Sequence, residues 1–310
     1  VIDFIRLARP RQWTKNLLVF AGLIFSGLFH FADATLTALV LFAAFCLASS
    51  AGYIWNDLKD ADADKLHPTK KNRPIASGRI SKLAASLFGS GLLVLSFSVA
   101  LFVDYGSAPI SKQAYESARA SILEIDSGFP TATLCIAVYL ANQFVYSTLA
   151  RKIAILDVFV IAIGFLIRAI AGAVVLSVTI SQWLLLCTLF LALFLGFAKR
   201  RNELIVASES RSSLGGYSQA LLDHLISISA AASVIAYSLY AIQSSTAQAH
   251  PLLALTIPFP VFGVFRYMQI TFRDNDSGNP DAVLLRDPWI WGTVLIWGAL
   301  SVFAMSQGVN

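Results

Sequence analysis

Charge is what this sequence has least of. Only 13% of its 310 residues are Asp, Glu, Lys or Arg, against roughly a quarter in soluble domains. That scarcity excludes a disordered chain, a nucleic-acid-binding domain and an ordinary cytosolic enzyme. Cysteine is scarce too. Cys46, Cys135 and Cys187 all lie inside apolar runs, at spacings that give neither a metal site nor a disulfide framework, so they are expected as small core residues. None of the four histidines has a setting that suits a general base: His30, His224 and His250 fall at helix ends, and His67 adjoins Pro68. No small-residue cleavage site follows the first long apolar run, which is therefore not expected to be a signal peptide.

What the chain has in abundance is apolar length. Hydrophobic residues make up 57% of it and the mean hydropathy is +0.69. A helix crosses a bilayer in ~20 mostly apolar residues, because each backbone polar group must be satisfied within the segment. Nine such runs are expected, near 14–31, 36–56, 82–103, 131–150, 154–177, 182–199, 222–243, 252–271 and 289–306. With the N-terminus on side one, alternate connections place 20 of the 23 Lys and Arg residues on that side. By the positive-inside rule that side is cytoplasmic and the C-terminus lies outside. The expected fold is all-α: a polytopic protein of the inner (plasma) membrane, with residues 1–310 as one integral domain of nine transmembrane helices around a cytoplasm-facing cavity. A polar outside connection at 104–130 is read either as a short helix on the membrane surface or as a solvated loop. The bilayer is the one partner composition fixes; no nucleic acid is expected, and a homo-oligomer is compatible with the sequence.

Charges at membrane depth need a reason. The run Asn56-Asp57-Leu58-Lys59-Asp60-Ala61-Asp62-Ala63-Asp64 ends the second span. At ~100° per residue, positions 56, 60 and 64 share one helical face, with Asp57 at its border. Oxygen ligands gathered in this way suit Mg²⁺, which prefers a few carboxylates plus phosphate oxygens and water. The loop that follows, His67 to Gly78, carries Lys70, Lys71 and Arg73 between prolines, a stiff basic segment suited to phosphate. Tyr146, Arg151, Lys152 and Asp157 form a second constellation, and Lys199, Arg200, Arg201, Asn202 and Glu203 a third, in which Lys199 and Glu203 are spaced for an i, i+4 pair. All face the cytoplasmic side and are expected to ring the cavity. Arg168 lies inside a span and must find a partner or line a wet cavity. Lys15 and Asn16, beside Trp13, are read either as interfacial anchors or as reaching the cavity mouth. The Gly/Pro-containing segment GNPDAVLLRD after Arg273 is read as a lid or a solvated loop.

With these residues in place, the sequence resembles a known family. Nine helices with NDxxDxxxD (Asn56, Asp57, Asp60, Asp64) after the second resemble the UbiA superfamily of intramembrane prenyltransferases. RPRQWTKN, HPTKKNRPIASG, YSTLARKIAILDV, LIRAIAGA, AKRRNEL and GNPDAVLLRD are together similar to its decaprenyl-phosphate phosphoribosyltransferase branch, over residues 6–290. The branch usually has Lys where this chain has Arg151, followed here by Lys152. The resemblance implies Mg²⁺ as cofactor, 5-phosphoribosyl 1-diphosphate as donor and a polyprenyl phosphate lipid as acceptor. It implies Asp57, Asp60 and Asp64 as catalytic acids that hold Mg²⁺ with Asn56. The substrate-binding set it implies is Lys15, Lys70, Lys71, Arg73, Tyr146, Arg151, Lys152, Asp157, Arg168, Lys199 and Arg200. Members of the superfamily that prenylate aromatic acceptors carry a second motif, DxxxD; here Asp157 is followed at +4 by Ile161. One metal stripe among many cations suits a bound diphosphate plus two further phosphates.

Overall fold

The computed structural model describes residues 2–66, 70–106, 129–178, 181–206, 212–273 and 287–307. Its long helices are α1 (Ala32–Leu66), α2 (Lys82–Tyr105), α3 (Thr131–Thr148), α4 (Leu156–Val175), α5 (Gln182–Val206), α6 (Gln219–Gln243), α7 (Pro258–Arg273) and α8 (Pro288–Ser306). Among the described residues, eight helical stretches are long and apolar enough to cross a membrane. Large apolar side chains such as Leu87, Val94 and Phe102 on α2 point outward. A folded water-soluble protein hides such a surface, whereas a bilayer solvates it, and the chain is an integral membrane protein.

Eight of the nine expected spans are thus helices, with ends shifted by a few residues in most and by ten at the end of the second. The first, 14–31, is not one α-helix. It runs as a 3₁₀ helix over Pro10–Phe20, a short α-helix over Ala21–Phe25, and a 3₁₀ turn over Leu28–His30, with Gly27 at φ +74° between the last two. The reason lies in what this segment buries. Asn16, Val19 and Gly22 are buried at a spacing of three, the period that a 3₁₀ helix aligns on one face. The backbone lies so close to α4 that a Cβ at Gly172 would sit 1.8 Å from the Val19 carbonyl oxygen. Irregular backbone is tolerated at membrane depth only where protein covers it.

The chain divides into two compact units. The first comprises Val1–Leu23, Leu28–Ser147 and Ile167–Thr179. Its core joins Val19, Leu41, Phe45, Ile136, Tyr139 and Ala171, with Leu7, Ile54, Ala61 and Ile75 packed where the N-terminal helix (Ile2–Ala8) meets the far end of α1. At the opposite end of α2, Asp104 accepts hydrogen bonds from the backbone N–H of Ala132 (2.8 Å) and of Thr133 (3.0 Å) and from the Thr133 hydroxyl (2.7 Å). It thereby satisfies donors that the first turn of α3 leaves open.

The second unit comprises Ile24–Gly27, Thr148–Leu166 and Ile180–Asn310. Val158, Leu193, Phe194, Phe197, Leu222, Ile226 and Val264 form its main core. Tyr237 and Tyr240 close a smaller one with Phe25 and Trp297, where the Tyr237 hydroxyl accepts from Trp297 Nε1 at 2.6 Å. Helix α4 contributes its first turns to this unit and its last turns, from Ile167, to the other.

Candidate active site

Helix α1 does not stop at the expected residue 56. It continues to Leu66, 35 residues in all, about 50 Å at 1.5 Å per residue and well beyond a hydrocarbon core of ~30 Å. The extension carries the acidic stripe. Its buried face is Ile54, Asp57, Ala61 and Asp64, spaced i, i+3, i+7 and i+10 as helix geometry requires. Asp57 is 3% exposed and Asp64 5%, while Asn56 and Asp60 stand half-buried beside them. Asp62 lies on the outer face and pairs with Lys65 and Lys82.

Two guanidinium groups meet the buried carboxylates. Arg73 Nη1 donates to Asp57 Oδ1 at 2.9 Å and to Asp64 Oδ2 at 2.6 Å, and Arg9 Nη2 donates to Asp57 Oδ1 at 2.5 Å. Arg73 is held there by its loop: a 3₁₀ turn over Lys70–Asn72, a bond from its backbone N–H to the Lys70 carbonyl, and the buried Pro74, Ile75 and Ala76 behind it. Arg9 takes a left-handed backbone conformation, φ +52°, and stacks over the Tyr53 ring. Two carboxylates that converge on one cation position, with the oxygens of Asn56 and Asp60 nearby on the helix, match the donor set of Mg²⁺, which takes one or two carboxylates and leaves the rest to water and phosphate. Among the described residues no group of three or more acids, histidines or cysteines is gathered closely enough to hold a metal ion by itself.

The other predicted residues of the first unit are placed differently. Arg168 is 4% exposed. Its Nε donates to Asn16 Oδ1 at 2.6 Å and its Nη2 to the Tyr139 hydroxyl at 2.9 Å, with the guanidinium also over the Tyr139 ring. Asn16 in turn donates to Ser49 Oγ and Cys46 Sγ. Asn16 is thus an internal residue, and Arg168 meets its partners inside the unit. Lys15 donates to Gln12 Oε1 at 2.6 Å. Lys70 is half-buried and Lys71 exposed on the turn that leads to Arg73, and Tyr146 is half-buried near the end of α3.

In the second unit, Arg151 and Lys152 lie on a 3₁₀ turn, Ala150–Lys152, half-buried and exposed respectively. The chain then makes a sharp entry into α4. Ile155 has φ +69°, a conformation that costs a β-branched residue about 1–3 kcal/mol. Its backbone N–H donates to the Tyr217 hydroxyl at 2.6 Å, and that hydroxyl donates to Asp157 Oδ1 at 2.8 Å. Arg200, only 1% exposed, donates from Nε to Asp157 Oδ2 at 2.7 Å and from Nη1 to Glu203. Burial and the bond to the Asp157 carboxylate push the Tyr217 phenol up, so it stays protonated and able to donate. Arg201 donates to Asp223 and to the Thr271 carbonyl, and Lys199 is half-buried.

Sequence reasoning placed the acids and Arg73 together and missed Arg9, Tyr139 and Tyr217. Arg9 carried a signal, since it is a cation immediately before Pro10 in the segment that leads to the membrane. Tyr217 carried none, because it lies 60 residues from Asp157 with no regular spacing to link them. His67 to Thr69, most of the 104–130 connection, Arg211 and residues 274–286, which include nearly all of the expected lid, lie outside the described residues.

Residues 17–111 match the UbiA prenyltransferase family. The chain is 34% identical to the decaprenyl-phosphate phosphoribosyltransferase of Mycolicibacterium smegmatis, over 96% of this chain and 90% of that protein. It is 31% identical to the enzyme of that name from Mycobacterium tuberculosis, over 99% and 96%. Among solved structures, a UbiA homologue from Archaeoglobus fulgidus bound to GPP and Mg²⁺ superimposes with a TM-score of 0.68 at 17% identity, covering 98% of this chain and 99% of that one, which speaks to the fold. The chain belongs to the UbiA family, on the branch of the decaprenyl-phosphate phosphoribosyltransferases.

Proposed function

We infer that this protein transfers 5-phosphoribose from 5-phosphoribosyl 1-diphosphate to a polyprenyl monophosphate such as decaprenyl phosphate, releasing diphosphate. The observation that carries this reading is the likeness at 34% identity over 96% of the chain to a phosphoribosyltransferase. The chemistry of the residues supports it. The donor brings a diphosphate and a 5-phosphate, the acceptor a third phosphate group, and the chain offers one acidic stripe and several cations at the ends of its helices. Ile161 stands where an aromatic-acceptor enzyme would need a second acid.

Asp57 and Asp64, with Asn56 and Asp60 alongside, would hold Mg²⁺, which when bound supplies charge neutralisation at the leaving diphosphate. Arg73, with Lys70 and Lys71 close before it in the sequence, would grip diphosphate oxygens and stabilise charge as it departs. Arg151 and Lys152 take a phosphomonoester. An acceptor phosphate oxygen attacks the anomeric carbon, the bond from that carbon to the diphosphate oxygen breaks, and the electron pair leaves with diphosphate. The acceptor is already anionic near neutral pH, so no side chain needs to remove a proton. The excess of Lys and Arg on one set of connections supports a cytoplasmic N-terminus, cytoplasmic active-site loops and an outside C-terminus.

The test uses membranes that contain the protein, Mg²⁺, ribose-labelled donor and polyprenyl monophosphate, with label followed into the organic phase. Label in lipid that is lost with Asp60→Ala, a half-exposed position, is the expected result. If lipid stays unlabelled while the membranes couple a polyprenyl diphosphate to an aromatic acid, the chain is a prenyltransferase of the ordinary kind.

A further inference from the structure

Tyr217 takes no part in the reaction described above, yet its hydroxyl is the joint of the turn that carries Arg151 and Lys152. The carbonyls of Ile153, Ala154 and Ile155 all accept bonds from the first residues of α4. The N–H of Ile155, turned aside by its left-handed conformation, goes to Tyr217 at 2.6 Å. The hydroxyl proton goes on to Asp157 Oδ1, and Arg200 holds the other carboxylate oxygen at 2.7 Å, so the acceptor is fixed in orientation. The preceding 3₁₀ turn, Ser212–Gly216, packs directly on the same place: a Cβ at Gly216 would lie 2.7 Å from Ala154 Cβ. A strained entry into a helix persists only when its surroundings over-determine it, and here one neutral hydroxyl connects the strained N–H to the buried ion pair.

We propose that Tyr217 is a positioning residue that holds the Ala150–Ile155 turn in the conformation that presents Arg151 and Lys152 to a phosphomonoester. This rests on the phosphoribosyl-transfer reading, in which two substrates carry such a group: the donor through its 5-phosphate and the lipid through its head. The inference is about the turn, and the two KM values separate the sources.

Tyr217→Phe keeps the ring and removes the joint. The expected result is a rise of about tenfold in KM for one substrate, equivalent to about 1.4 kcal/mol, with the other KM and the kcat at saturation within about twofold of wild type. Ile155→Gly relieves the strain, because glycine adopts positive φ without cost. Placed in the Tyr217→Phe background it restores KM. Gly216→Ala presses on the same turn from the other side and raises the same KM, providing an independent variant should Tyr217→Phe fail to fold. Wild-type KM values in folded Tyr217→Phe and Gly216→Ala, or a fall in kcat alone, overturn the inference and leave the transferase reading intact. If the wild-type protein forms no labelled lipid, that reading fails, and this one with it.

Discussion

Replacing Arg73 by Gln tests how the acidic stripe is held when no substrate is present. In the wild-type cluster two carboxylates, Asp57 and Asp64, face two guanidiniums, Arg9 and Arg73, and the formal charges cancel. Arg73→Gln leaves one buried carboxylate uncompensated. Breaking a buried pair in this way costs about 3–5 kcal/mol. The Arg73 side chain is 28% exposed, so water replaces part of the loss, and about 2–3 kcal/mol is the better figure. At about 2–4 °C per kcal/mol, the variant should unfold roughly 5–10 °C below wild type in detergent and EDTA. The same arithmetic reverses when a divalent cation is added. In wild type the Asp57 and Asp64 charges are already compensated, so the stripe pulls on free Mg²⁺ less than in the variant, whose net charge is one unit more negative; at a hundredfold excess over Kd this restores about 2.7 kcal/mol. Thermal unfolding of both proteins, with EDTA and with millimolar Mg²⁺, gives the comparison. A variant within 1 °C of wild type in EDTA, or equal Mg²⁺ shifts for the two proteins, would refute the reasoning.

Two further outcomes follow from local geometry. Gly172→Ala places a methyl 1.8 Å from the Val19 carbonyl oxygen, an atom of the backbone that cannot swing aside. A loss of about 3 kcal/mol or more is expected and is measured against Gly52→Ala, whose Cβ meets nothing within 4 Å. At the start of α8, the hydrogen bond from Arg266 holds the Asp287 carboxyl below the usual range. Its folded value lies below its unfolded one, so the pair stabilises the protein at neutral pH and down to the ordinary carboxylate pKa of ~3.9, and the contribution disappears as pH falls below that. Unfolding temperatures from pH 6 to pH 3 should fall more steeply for wild type than for Asp287→Asn, which can retain the cap on the Ile290 N–H; parallel slopes would exclude the pair as a source of acid lability.

The parts of this protein that were legible beforehand are those written in periodic patterns. Eight spans showed as long, mostly apolar runs, and the acids of α1 showed as a helical stripe next to Arg73. Of the expected 56/60/64 line, Asp64 is buried while Asn56 and Asp60 stand half-buried. Asp57, expected at the border of that line, turns inward with Asp64, because Ile54 and Ala61 supply the apolar residues that seat that face against the N-terminal helix. The 14–31 segment was misjudged for a different reason. Its apolar content is that of a spanning helix, and what breaks it is the approach of Gly172 and Ala173 from a helix some 150 residues later. Asn16, a polar residue at the head of the apolar run from Leu17 onward, was the visible trace of that environment. Tyr217 and Arg9 belong to networks defined by tertiary proximity alone, and no period in the sequence encodes them.

The clasp that Asp104 makes on the first turn of α3 has a practical consequence. Its three bonds join the chain on either side of residues 107–128, so the junction between α2 and α3 is closed independently of the residues between them. The length of the intervening chain adds little to such a closure, each doubling costing only about 0.6 kcal/mol. The connection is therefore open ground for insertion: an epitope, a protease site or a glycan acceptor placed there would report which face of the membrane it occupies while the helices beneath stay joined.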